Sequence, residues 1–115
     1  MAMHTVIETV AFQNAAKAVG MTDAERTAAI DIVSRNPVAG DLIVGSGGCR
    51  KVRVAGRGKG KSGGFRVITY FVGDSGVFLL WVLSKGRSAN LTDAQVNTLA
   101  RLTKTLADSF KKEVG

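Results

Sequence analysis

Phe65-Arg66-Val67-Ile68-Thr69-Tyr70-Phe71-Val72 (FRVITYFV) is the stretch on which the fold turns. It follows Gly56-Arg57-Gly58-Lys59-Gly60-Lys61-Ser62-Gly63-Gly64, a glycine- and lysine-rich run that looks built to hold phosphate. A helix after that run would place its N-terminus against a nucleotide phosphate. β-Branched and aromatic residues follow instead, and they predict a strand. Gly58 to Gly63 does match the pattern G-x-G-x-x-G, and Gly60-Lys61-Ser62 ends like a P-loop. The first P-loop glycine falls on Ala55, however, and neither motif works without the helix. Both nucleotide readings fail, and the run becomes a connection between two strands.

Working outward, residues 50–55 upstream and 77–84 downstream predict the neighbouring strands, with Gly73-Asp74-Ser75-Gly76 as a short hairpin loop. Residues 5–10 predict a first strand, and residues 12–19 a short helix closed by Gly20. Thr22-Asp23-Ala24-Glu25 has capping-box spacing, and the helix it opens should run to about Arg35, since Asn36-Pro37 disfavours continuation. Ala28, Ala29, Ile32 and Val33 give that helix one apolar face. Residues 37–48 form a turn-rich connection. Thr92-Asp93-Ala94-Gln95 is a second capping box, opening a helix whose Val96, Leu99, Leu102, Thr103, Leu106 and Phe110 recur at three- and four-residue steps. The order β-α-α-β-β-β-α predicts an α+β fold, a mostly antiparallel sheet packed by helices, with residues 1–115 as a single domain.

The chain has 16 basic and 9 acidic residues, a net charge of +7. Arg50, Lys51, Arg53, Arg57, Lys59, Lys61 and Arg66 fall together with no acid among them, and the rest of the chain balances. A cationic segment in an otherwise neutral chain is a footprint for a polyanion, and nucleic acid is the better reading than a solvated basic loop. The longest apolar run, residues 77–83, suits a buried strand rather than a membrane span. No signal-peptide pattern is read at the N-terminus. Cys49 is the one cysteine, so no internal disulfide is possible; a reducing cytoplasm suits it. With His4 the only histidine and distant in sequence, Cys49 reads as a buried or loop thiol rather than a nucleophile. No metal-ligand cluster and no cofactor is expected.

Alternation assigns the cations to faces. Lys51 and Arg53 share one face of their strand, while Arg66, Ile68 and Tyr70 share one face of theirs. If the two strands form a hairpin, Lys51, Arg53 and Arg66 line one open sheet surface, and Lys85 reaches its rim.

Residues 36–53, NPVAGDLIVGSGGCRKVR, resemble the N-P-x-x-G-D-x-I-x-G-x-G-G-x-R-K-x-R fingerprint of HigB-type toxins in the RelE/ParE superfamily. Gly58 to Arg66 resembles that family's G-K-G-K-x-G-G-x-R segment. The resemblance implies the toxin of a type II toxin–antitoxin pair, an endoribonuclease cutting mRNA on the translating ribosome. Its antitoxin would be a helix-turn-helix repressor encoded beside it. In such enzymes the ribose 2′-OH attacks the adjacent phosphate. The reaction needs a base, cations for the developing charge and a donor for the leaving 5′-oxygen. Lys, Arg and Tyr on the sheet serve where histidine is lacking.

Carried over by residue, the resemblance implies Lys51, Arg53, Arg66 and Lys85 as catalytic. Lys51 is the candidate base or else a phosphate ligand, Arg53 and Arg66 are phosphate clamps, and Lys85 is the leaving-group donor or a further phosphate ligand. Arg50, Arg57, Lys59, Lys61, Tyr70 and Arg87 are the implied RNA-binding set. Thr69 and Leu83 stand where the family commonly has tyrosines, and Gly86-Arg87 replaces a polar-acidic pair. Two alternatives stay open: a ParE-like DNA gyrase poison, and an RNA-binding module without catalysis.

Overall fold

The structure, a computed structural model, describes residues 3–55, 64–73, 76–84 and 91–114, with side chains described as far as residue 109. The elements run β1 (Val6–Glu8), α1 (Val10–Ala18), α2 (Asp23–Arg35), β2 (Asp41–Leu42), β3 (Cys49–Val54), β4 (Phe65–Phe71), β5 (Val77–Ser84) and α3 (Asp93–Val114). The strands form one sheet in the order β1-β5-β4-β3-β2. Only the β1–β5 pair is parallel; the others are antiparallel. This is the expected α+β fold. Its one addition is β2, a two-residue strand within the turn-rich connection.

Local chemistry explains the boundaries. Thr9 caps α1 by accepting from the Phe12 N–H at 3.1 Å, so the helix begins at Val10, two residues earlier than expected. The same hydroxyl donates to the Leu79 carbonyl at 2.7 Å and ties α1 to β5. Both expected capping boxes form: Thr22 with Glu25 at α2, and Thr92 with Gln95 at α3.

Two apolar layers sandwich the sheet. On one face, Phe12, Ala15 and Ala16 of α1 and Ala29 and Val33 of α2 pack on Val52, Val54, Phe65, Val67, Val77, Leu79 and Val82. Ala28, expected on that buried face, is exposed; Val33 and Ala29 reach the sheet and Ile32 is half-buried. On the other face, Leu99, Leu102 and Leu106 of α3 pack on Cys49, Ile68, Phe78, Leu80 and Leu83. Each large apolar side chain so buried contributes on the order of 1.5–3 kcal/mol. The side chain of Phe110 lies outside the described residues.

The ladder slips once. Ile68 pairs with Trp81, but the next residue, Thr69, pairs with Leu79, so Leu80 is an extra residue in β5. Such a bulge re-aims side chains. Leu79 and Val82 pack toward α1 and α2, while Leu80 and its neighbour Trp81 both line the α3 side.

Candidate functional site

The site is built on the β3–β4 hairpin. Arg53 pairs directly with Arg66, Lys51 with Ile68, and Cys49 with Tyr70, so these six side chains share one face. The Cys49–Tyr70 end lies under α3, but the Arg53–Arg66 end opens into a cleft of about 310 Å³ lined by Gly40, Asp41, Lys51, Arg53 and Arg66. The expected surface of Lys51, Arg53 and Arg66 is therefore formed.

The electrostatics of this cleft are unbalanced. Like charges placed directly across a strand pair repel. The ion pairs among the described residues are Arg26 with Glu8 and Asp23, Arg35 with Asp31, and Lys104 with Asp108, all away from the cleft. Arg53 and Arg66 thus face each other with no ion pair to a described carboxylate. Arg66 Nη1 is moreover buried without a hydrogen-bond partner among the described residues. A buried guanidinium donor left unmatched is costly. An oxyanion in the cleft would satisfy both groups.

The wall beside it requires glycine. Gly40 has φ +88°, and a Cβ there would run into the Lys51 carbonyl. Next to it Asp41 pairs in register with Lys51 and puts a carboxylate at the cleft edge. Sequence reasoning assigned Asp41 no role, although it stands beside that glycine in the fingerprint. It also missed the support from α3. Ser46, fully buried, donates to the Ile43 carbonyl at 2.6 Å and accepts from the Cys49 N–H at 3.0 Å. Thr103 of α3 holds the Ser46 carbonyl at 3.0 Å. This contact requires a glycine at position 47, with φ +81° and no room for a Cβ beside the Thr103 hydroxyl.

Two other expected residues, Arg50 and Tyr70, are not gathered in the cleft. Arg50 lies at an alternate position of β3, and its Nη1 donates to the Gly40 carbonyl at 3.1 Å, bracing the loop from behind. Tyr70 is half-buried in the α3 cluster, four residues along β4 from Arg66, or roughly 13 Å. Burial, and after it the neighbouring Cys49, pushes its hydroxyl pKa upward. Cys49 is fully buried, and burial pushes its thiol up to about 11 against a smaller opposing effect of the Ser46 hydrogen bond; it is a core thiol, as expected. Arg57, Lys59, Lys61, Lys85 and Arg87 lie outside the described residues. β3 ends at Val54 and β5 at Ser84, both in register with Phe65, one step beyond the Arg53–Arg66 pair.

Thr69 and Leu83, which stand where the resemblance would have tyrosines, have different fates. Thr69 is buried, in register with Arg50 on the side away from the cleft. Leu83 pairs with Arg66 and so lies on the cleft side.

The described residues thus form a small α+β protein whose hairpin places two guanidinium groups in one cleft, neither in an ion pair with a described carboxylate. The family model for the RelE toxin of the RelE/RelB toxin–antitoxin system matches residues 4–114. The chain belongs to this family of toxins, whose members are partnered by an antitoxin. No helix among the described residues is long and apolar enough to cross a membrane.

Proposed function

We propose that the protein is a ribosome-dependent mRNA endoribonuclease of the HigB type, a single toxin domain over residues 1–115 that acts in the cytoplasm to inhibit translation. One observation carries the reading: Arg53 opposes Arg66 in an open cleft, and neither makes an ion pair with a described carboxylate, Asp41 at the cleft edge included. A phosphodiester placed between them accepts from two guanidinium forks, a bidentate geometry suited to phosphate oxygens.

In the reaction, a base takes the proton of the ribose 2′-OH, and the 2′-oxygen attacks the adjacent phosphorus. The bond from phosphorus to the 5′-oxygen breaks, and a donor protonates that oxygen, leaving a cyclic phosphate and a 5′-hydroxyl. Arg53 and Arg66 hold the charge that gathers on the phosphoryl oxygens. Lys51, on the same face, is the candidate base or a further phosphate ligand, and Lys85 the candidate donor. Arg57, Lys59, Lys61 and Arg87 would grip RNA around the cleft, and the antitoxin, proposed to be a helix-turn-helix repressor, would block it.

The test is induced expression of the wild type beside Arg66→Ala, with 5′-end mapping of cellular transcripts. Growth arrest with cuts inside translated codons, both relieved in the variant, is expected. Arrest with intact transcripts and a DNA damage response would replace this reading with a gyrase poison. Normal growth would leave an RNA-binding module.

A further inference from the structure

Trp81 is the chain's one tryptophan, and 42% of it is exposed. Strict alternation along β5 from Leu79 would bury it against α1 and α2. The extra residue at Leu80 turns it to the opposite face, the face that carries the cations. There it ends a cross-sheet row that runs Lys51, Ile68, Trp81. Two strand spacings, roughly 10 Å, separate the lysine from the indole.

The indole forms one wall of a groove of about 320 Å³ between the sheet and the first half of α3, with Ile68, Leu80, Leu91, Leu99 and Leu102 lining it. The groove is largely apolar, but Gln95 and Thr98 border it. Gln95 uses its amide oxygen to cap α3 through the Thr92 N–H, which leaves the NH₂ end of the amide as a donor. A flat aromatic wall, an apolar floor and a few polar groups at the border match the faces and edges of a heterocyclic base.

We propose that Trp81 is the stacking platform for a nucleobase next to the phosphate held by Arg53 and Arg66, and that the groove is a base subsite. The proposal rests on the RNA-cleaving reading above and adds to it a residue that positions substrate. Its occupant follows from continuity. Trp81 is the diagonal neighbour of Arg66 across the β4–β5 ladder, roughly 7–8 Å away on the same face, so a strand whose phosphate sits on the arginines brings an adjoining base to the indole without crossing the buried Ile68. An aromatic platform accepts any base, so Trp81 sets position and strength of binding more than sequence.

The test is a cycle of enzyme and substrate changes on ribosomes programmed with short messages. Wild type, Trp81→Phe and Trp81→Ala are compared on an intact message and on messages abasic at each nucleotide flanking the cut. Thermal unfolding of each variant checks that it folds. Trp81→Ala is expected to lose roughly 5- to 150-fold in kcat/KM on the intact message, the range of one base–aromatic stack, and Trp81→Phe much less. Removing the stacked base should slow the wild type by a similar factor and leave Trp81→Ala unchanged. Base removal that slows Trp81→Ala as much as wild type would overturn the proposal and leave the nuclease reading intact. So would a Trp81→Ala variant that cuts normally but escapes its antitoxin, which would give the groove to the antitoxin. A folded wild type that cuts no message overturns the nuclease reading, and the base subsite with it.

Discussion

The two ends of the β3–β4 hairpin share one sheet face and opposite fates. At one end Cys49, Ile68 and Tyr70 are packed under Leu99, Leu102 and Leu106 of α3. At the other, four residues along the ladder from Cys49 and Tyr70, Arg53 and Arg66 oppose each other in an open cleft. The covered end follows the ordinary logic of burial, in which apolar area leaves water and polar groups find partners. The open end violates it, with like charges adjacent and Arg66 Nη1 unmatched among the described residues. The contrast teaches that the covered end and the α1–α2 face hold the fold, while the open end carries positive charge that the fold does not use, as the proposed phosphate site requires.

Substitution can break this comparison. The largest stability loss should come from the covered side of the sheet: Phe12→Ala removes a fully buried side chain and should cost about 3–5 kcal/mol in urea denaturation. Arg66→Met should invert that result. Its denaturation midpoint should stay level or rise, since repulsion with Arg53 disappears, while the proposed RNA cleavage should fall by roughly 100-fold or more, the usual effect of removing a transition-state donor. A marked loss of stability in that variant would show that Arg66 is structural and erase the distinction between the ends.

Smaller changes sharpen it. Thr103→Val keeps shape but leaves the Ser46 carbonyl without its α3 donor, and should cost about 1 kcal/mol in the same denaturation experiment. The gentlest probe is pH. Burial raises the Cys49 thiol from its ordinary 9.0 to about 11. Between those values the unfolded chain has already lost the proton that the folded chain keeps, so the unfolded state binds fewer protons and stability falls as pH rises. Urea midpoints measured across that interval should decline in the wild type, and less steeply in Cys49→Ala.

Much of the fold was legible in the residues. The capping boxes at Thr22 and Thr92 placed two helix starts, because side-chain hydrogen bonds at a cap are local. Residues 77–84 read as a strand with correct ends, but their continuous apolar run hid the faces. A run without alternation gives no sign of a bulge, so the turning-out of Trp81 escaped notice. For the site, alternation alone brought Lys51, Arg53 and Arg66 to one face. The same period puts Arg50 on the opposite face, but it was grouped with the RNA-binding residues on charge alone. Tyr70 was ambiguous because it sits on the cation face, and only the position of α3 over its end of the hairpin half-buries it against the core.

By itself, then, the sequence determined the element order, the caps, the concentration of positive charge and the face that three of the cations occupy. These depend on contacts between near neighbours and on the two-residue period of a strand. Tertiary structure alone decided that Arg53 stands opposite Arg66, that α3 closes one end and leaves the other open, and that Leu80 is the residue that slips. Each of these depends on which distant segments meet and in what register, and register is set by the packing of the whole sheet between its helices.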